Sequence, residues 1–299
     1  MRTQEQRLLN ISGYQGYREV LIPSAGTRIA LSVYESQKGD PCVVFIPGTM
    51  THPLFYDDFL CPLAEHGFNV VGVHLLSHGK SPREKEVFTL DDMVANVQDT
   101  MTWCIENVHD NVLLMGSSQG GILSMAVAGK DARVRAVFPH NILLPDLADS
   151  IVVTRYPQFL KPLHTFMQKV FLIGAKVLPR LQIPITSYLD PDRITKSKQI
   201  MDQFYADPLG RTSYPLAFMA SLFSADLSMV TDGSITCPVV VIASQGDLLF
   251  PYDYTLQVFQ RIAAPKKEML LFDEPYHLIF QECIDRIIGP IVDKLKEYA

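Results

Sequence analysis

Eight short runs rich in β-branched and apolar residues punctuate this chain, and their spacing limits what it can fold into. They cover Arg18 to Ile22, Arg28 to Tyr34, Cys42 to Ile46, Asn69 to His74, Val112 to Met115, Val134 to Phe138, Val239 to Ala243 and Glu268 to Phe272. The first two are separated by Ser24-Ala25-Gly26 and read as an antiparallel hairpin. The later ones alternate with helix-length segments, as βαβ crossovers and a mostly parallel sheet require. A run such as Val239-Val240-Val241-Ile242 fits a strand covered on both faces. Helices are expected over Leu54 to His66, Leu90 to Asn107, Gln119 to Ala128, Tyr252 to Ile262 and Leu278 to Tyr298. The alternation stops between Pro145 and about Ser234, where Pro, Leu and Phe are frequent and no strand is evident. The expected fold class is α/β: an eight-stranded, mostly parallel sheet with helices on both faces, built from residues 1–144 and 234–299, with 145–233 inserted after strand six as a helical cap.

Composition narrows the partners. Of 299 residues, 47% are hydrophobic, ample for a large core, and the net charge of −6 offers no basic stripe to a phosphate backbone, so nucleic acid is not an expected partner. The N-terminus M-R-T-Q-E-Q-R is polar where a secretory signal is apolar, and no uncharged run approaches the length of a membrane span. A soluble, cytoplasmic protein is expected. Cys42, Cys61, Cys104, Cys237 and Cys283 are scattered without a C-x-x-C pair and read as reduced core thiols. No G-x-G-x-x-G, Walker loop, H-E-x-x-H or EF-hand pattern is present in the sequence, so neither cofactor nor metal is expected.

One of the strand-like runs ends in a chemically specific way. From Val112 to Gly121 the chain reads V-L-L-M-G-S-S-Q-G-G, an apolar run closing on G-x-S-x-G and continuing as a plausible helix. A serine hydroxyl is a poor nucleophile near neutral pH, so it must be presented on a sharp turn to a base, with backbone N–H groups awaiting the oxyanion. Ser118 sits at the tip of that turn, Gly116 and Gly120 make it sterically possible, and Ser117 at the x position points away. The base and its partner acid belong on loops at the carboxyl ends of other strands. Asp247, in S-Q-G-D-L-L-F-P, follows the Val239 run, and His277, in D-E-P-Y-H-L-I-F, follows the Glu268 run. Asp146, after strand six, is the competing acid, and Asp247 has a second reading as a helix cap. Seven other histidines compete with His277, but none of them follows the last strand after the candidate acid.

With these segments in order, the chain resembles an α/β-hydrolase over nearly its whole length apart from the cap. F-I-P-G-T-M after strand three resembles the family's oxyanion loop, with Pro47 in place of its usual histidine. L-L-S-H-G-K-S after strand four resembles its R-G-x-G-x-S loop, with His74 where the family usually has Asp. The Y-H-L-I segment and the cap are most similar to monoacylglycerol lipases, lysophospholipases and related carboxylesterases. The resemblance implies a catalytic triad of Ser118, Asp247 and His277, one oxyanion donor from the Gln119 backbone and another from the backbone of Thr49 or Met50. Donors of this kind are worth roughly 3 to 4 kcal/mol each. The carboxylate nucleophile of dehalogenases and epoxide hydrolases of this fold is absent, which leaves acyl transfer.

The expected activity is therefore cleavage of small or medium carboxylic esters through an acyl-enzyme, with a small-molecule ester as substrate. Peptidase, thioesterase, carbon–carbon hydrolase and acyltransferase reactions use the same triad, and a non-catalytic ligand receptor is the non-enzyme alternative. An aminopeptidase needs cap carboxylates for the substrate amine, and Asp190, Asp192, Asp202, Asp207 and Asp226 are available. Within Leu163 to Arg180, Lys169, Lys176 and Arg180 share a narrow arc, with Phe166, Met167, Val170, Val177 and Leu178 broadly opposite. This reads as a cap helix packed over the core with its basic side solvated, in preference to a lid making peripheral lipid contact. Met167, Phe171, Phe218, Met219, Phe223 and Met229 are candidate acyl-pocket residues, with packing as the plainer reading.

Overall fold

The computed structural model describes residues 4–36 and 41–299; Met1 to Thr3 of the polar N-terminus lie outside the described residues. In chain order the first elements are α1 (Gln4–Leu8), β1 (Tyr17–Ser24), β2 (Thr27–Tyr34), β3 (Cys42–Ile46), α2 (Asp57–Glu65), β4 (Asn69–His74), α3 (Leu90–Asn107), β5 (Val112–Ser117), α4 (Gln119–Ala128) and β6 (Val134–His140). There follow α5 (His164–Val177), β7 (Gln182–Pro184), α6 (Pro191–Ile194), α7 (Lys198–Ala206), β8 (Ser213–Pro215) and α8 (Leu216–Phe223). The chain closes with β9 (Val239–Ser244), α9 (Tyr252–Arg261), β10 (Lys267–Phe272), α10 (Ile279–Glu282) and α11 (Ile284–Lys296).

All eight strand-like runs are strands of one sheet, in the order β1-β2-β4-β3-β5-β6-β9-β10. β2 is antiparallel to both β1 and β4, and every other pairing is parallel. The β1–β2 turn places Ala25 at φ 48° and Gly26 at φ 77°, the double left-handed geometry that matches the twist of a two-residue hairpin. β3, β4, β5 and β9 are buried at every position. Their period-two alternation divides the core: Val112 and Leu114 face one hydrophobic cluster with α3 and α4, while Leu113 and Met115 face another with α2 and α11. This fold is that of the α/β-hydrolases.

α3 and α4 have the expected limits, and α3 opens on a capping box between Thr89 and Asp92. Two expected helices are interrupted. The first begins as a 3-10 turn, Pro53–Tyr56, before α2, and the last breaks at Cys283 (φ −143°, ψ 35°). That break redirects the chain so that Phe280 packs on Phe45 and Phe59 while Ile287, Ile291 and Leu295 cover the same side of the sheet.

Between β6 and β9 the structure holds the helical turns expected, and also a two-stranded ribbon, β7 with β8, which the sequence did not announce. Three residues are too few for a period to declare itself. A second correction concerns α5. Its apolar side was expected to face inward, yet Phe166, Ile173 and Val177 are 64%, 64% and 71% exposed, on the same surface as Lys169 and Lys176. The side that packs instead carries His164, Gln168, Phe171 and Ala175. Gly174 lets Leu216 of α8 approach closely, Phe171 meets Phe223, and Gln168 Nε2 donates to the carbonyls of Pro145 (2.8 Å) and Phe223 (2.7 Å). Close approach and two partly buried hydrogen bonds select that face over the more apolar one.

Candidate active site

The carboxyl ends of the parallel strands bring the sequence's candidate residues to one crest. β5 ends at Ser117, Ser118 takes φ 52° and ψ −111°, and α4 starts at Gln119. Left-handed backbone at a non-glycine residue is strained, and here the packing of strand against helix imposes it. A Cβ on Gly116 would lie 2.0 Å from the Gly120 carbonyl oxygen, and one on Gly120 would lie 2.0 Å from that of Ile46, so no larger residue fits the turn. Ser117 Oγ is buried and accepts from Tyr56 Oη (3.2 Å), whereas the Ser118 side chain stays partly accessible.

Asp247 and His277 meet as expected. His277 Nδ1 donates to Asp247 Oδ2 at 2.9 Å, with both residues buried. The other carboxylate oxygen, Oδ1, accepts from the N–H groups of Leu249 (2.8 Å) and Phe250 (2.9 Å), and the Phe250 ring stacks on His277 at 5.6 Å with an interplanar angle of 9°. Burial opposes ionisation of Asp247, but the charge and hydrogen bond of His277, with the nearby His140 and the Phe250 N–H, outweigh it and hold the carboxyl below its ordinary range. With Nδ1 donating to the carboxylate, Nε2 is the ring nitrogen left to act as a base. His277 and Ser118 line one cavity of about 30 Å³ with Thr49. Asp146, the competing acid, lies exposed at the surface.

Two members of the cluster, His140 and Asn141, went unread in the sequence. Asn141, directly after β6 and itself at φ 66°, directs Nδ2 to Asp247 Oδ2 (3.0 Å) and to His140 Nε2 (3.2 Å). His140, Asp247 and His277 present potential metal-ligand atoms within 4.8 Å of one another. The Asn141 amide directs donors at that convergence, which suits a hydrogen-bonded network around the Asp247 carboxylate rather than a cation. Burial holds the His140 imidazole down to about 3, so it stays a neutral acceptor. The position of Asn141 at the end of a central strand was its one sequence signal.

On the opposite flank, Thr49 Oγ1 donates to Gln119 Oε1 at 3.0 Å, tying the loop after β3 to the start of α4. The Gln119 N–H opens a helix and has no intrahelical acceptor. The Met50 N–H, in contrast, donates to Tyr214 Oη at 2.8 Å. The departure at His74 is accommodated: Nδ1 accepts the Lys80 N–H (3.1 Å) and Nε2 pairs with Ser32 Oγ (2.9 Å), so a neutral imidazole, kept well below its usual value by burial, acts as acceptor for the loop after β4.

A second cavity of about 40 Å³ adjoins Ser118 and is walled by apolar side chains including Ile122, Leu143, Tyr188, Leu222 and Phe223. Of the six candidate acyl-pocket residues only Phe223 reaches it. Phe218 and Met219 are buried in the core, and Met229 packs at Gly129. None of the five candidate cap carboxylates lines either cavity. Asp207 pairs with His52, Asp190 caps α6, and Asp226 accepts from the Ser228 N–H.

Known proteins share this arrangement of chain. The profile of the Hydrolase_4 family, described as serine aminopeptidase S33, matches residues 37–284. A monoacylglycerol lipase of Mycolicibacterium smegmatis is 23% identical over 273 residues, 88% of this chain and 90% of that protein. A protein of Mycobacterium phage D29 described as a non-heme haloperoxidase is 26% identical over 132 residues, 44% of this chain and 43% of its own length. Among solved structures, the monoacylglycerol lipase of Paleococcus ferrophilus superposes with a TM-score of 0.74 at 18% identity, covering 91% of this chain and 99% of that one.

Proposed function

The chain belongs to the serine aminopeptidase S33 family of α/β-hydrolases and is a serine hydrolase, and from that premise we propose that it cleaves carboxylic esters with apolar acyl groups, monoacylglycerols among them. The observation that carries this reading is the buried Asp247–His277 pair, whose His277 lines one cavity with Ser118, beside apolar lining free of carboxylates. His277 Nε2 takes the Ser118 proton, Oγ attacks the ester carbonyl, and the Gln119 and Thr49 N–H groups receive the oxyanion. Protonated His277 then expels the alcohol, Asp247 stabilises the imidazolium, and water repeats the sequence on the acyl-enzyme. No step calls for a metal or cofactor.

The aminopeptidase description of the family is less well supported for this chain. Binding a substrate amine in a dry pocket requires a facing carboxylate, and the five cap aspartates are engaged or lie elsewhere. A panel of p-nitrophenyl and glycerol esters from two to twelve carbons, set beside aminoacyl p-nitroanilides, tests the assignment. Ester turnover should exceed anilide turnover by about 100-fold or more. Faster anilide cleavage would overturn it.

Both cavities fall well below the roughly 300 Å³ of an ordinary ligand pocket, so substrate entry requires movement of the wall formed by Tyr188, Leu189 and Phe223. These residues belong to 145–233, which we take as the cap. Its outward apolar α5 surface, flanked by Lys169 and Lys176, supports peripheral contact with a lipid surface. No helix among the described residues is long and apolar enough to cross a membrane. The triple variant Phe166→Ser, Val170→Ser, Val177→Ser should lose at least about tenfold in turnover of an ester presented in phosphatidylcholine vesicles, at unchanged turnover of soluble p-nitrophenyl butyrate. Equal turnover on vesicles would remove the lipid-contact reading and leave the esterase reading standing. The five free thiols support a reducing, cytosolic compartment.

A further inference from the structure

The loop after β3 is fastened by a segment far downstream. Arg211 N–H donates to the Met50 carbonyl (3.0 Å), Tyr214 Oη accepts the Met50 N–H (2.8 Å), and Asp207 Oδ2 lies 2.7 Å from His52 Nε2. Met50 has φ 70°, a backbone state that a non-glycine residue holds only when its surroundings impose it. Tyr214 is well suited to impose it. Its ring is fully buried, stacked on Phe218 at 4.9 Å and facing Phe88, and its hydroxyl lies 2.9 Å from His78 Nε2. His78 Nδ1 lies 2.8 Å from the Leu76 carbonyl, which can only accept, so Nδ1 bears the proton and Nε2 is the acceptor. The polar order is therefore Met50 N–H to Tyr214 Oη, Tyr214 O–H to His78 Nε2, and His78 Nδ1–H to Leu76 O.

We propose that Tyr214 is a positioning residue for the oxyanion hole: by taking the Met50 N–H, it fixes the 49–50 peptide plane and so aims the preceding Thr49 N–H at the substrate's carbonyl oxygen. This rests on the serine-hydrolase reading above. The orientation of one amide relative to the next is set by a single φ,ψ pair, so holding the Met50 amide restrains the Thr49 amide as well. Tyr214 lines neither cavity at Ser118. It acts through the loop rather than on the substrate, and its influence belongs to the transition state, where the oxyanion is present.

Tyr214→Phe tests this, because it keeps the ring and removes only the hydroxyl. With activity expressed per phosphonate-titrated site, kcat should fall about 10- to 100-fold while KM stays within about twofold, and the Ki of an alkyl boronic acid, whose tetrahedral adduct places an oxygen in the same hole, should rise by the same factor. A merely structural role would lower the melting temperature and leave those two numbers unlinked. If Tyr214→Phe does not fold, Asp207→Asn loosens the fastening at His52, and a smaller loss, about three- to tenfold, with the same split is expected. Unchanged kcat in the folded variant, or a raised KM at constant kcat, overturns the proposal. Absence of any phosphonate adduct on the unaltered protein would instead remove the serine-hydrolase reading beneath it.

Discussion

Replacing Ser118 with alanine should reduce ester turnover by about 10⁶-fold and eliminate phosphonate labelling of the intact protein. The fold should survive. Ser118 Oγ makes no hydrogen bond among the described residues, so its removal leaves no buried group unpaired. The left-handed backbone at φ 52° persists in alanine and is relieved in glycine, so Ser118→Gly should melt at or above the temperature of the unaltered chain, by an amount equivalent to about 1 kcal/mol. Loss of activity with gain of stability separates a strained nucleophile from a structural serine. Labelling that persists in Ser118→Ala would sink the assignment, and the neighbouring Ser117, bound to Tyr56, would then be the place to look.

Asp247→Asn should lower kcat by about 10⁴-fold, and the site's geometry explains why the amide cannot adapt. The Leu249 and Phe250 N–H groups both require an acceptor at Oδ1. They orient the new amide so that its NH₂ faces His277 Nδ1 and the Asn141 NH₂, setting donor against donor. The imidazole must then carry its proton on Nε2, where it can no longer accept one from Ser118. The sign of the acid response follows from the same carboxyl. Its folded-state value lies below the ordinary one, so its stabilisation is present above the ordinary carboxylate range and is lost as pH falls through the folded-state value. Melting temperatures recorded across the acid range should therefore show a flatter acid limb in Asp247→Asn. An undiminished kcat would show that this pair is not the catalytic one and would return attention to Asp146, despite its exposure.

Much of the candidate site was legible because its parts are local. A β-branched run, a G-x-S-x-G turn and an acid or base placed just after a strand are each contained within about ten residues, and the parallel sheet gathers all strand ends on one crest. What was missed depends on long-range side-chain geometry. Asn141 is an ordinary asparagine until Asp247, 106 residues later, arrives beside it. The choice of packed face on α5 followed a glycine and a glutamine rather than the hydrophobic stripe. The acyl-pocket candidates were mostly core packing, since a Met or Phe in sequence does not reveal whether it meets a cavity or another side chain.

The sequence by itself determined the strand set, the elbow at Ser118 and the order of Asp247 and His277, because hydrophobic period and turn chemistry act between near neighbours. Only the tertiary structure decided how the loop after β3 is held. Thr49 and Met50 are adjacent and chemically equivalent as backbone donors, and their difference arises from Tyr214, 164 residues away, which engages the N–H of Met50. A hydrogen bond across that separation depends on the packing of the whole chain, and no local pattern encodes it.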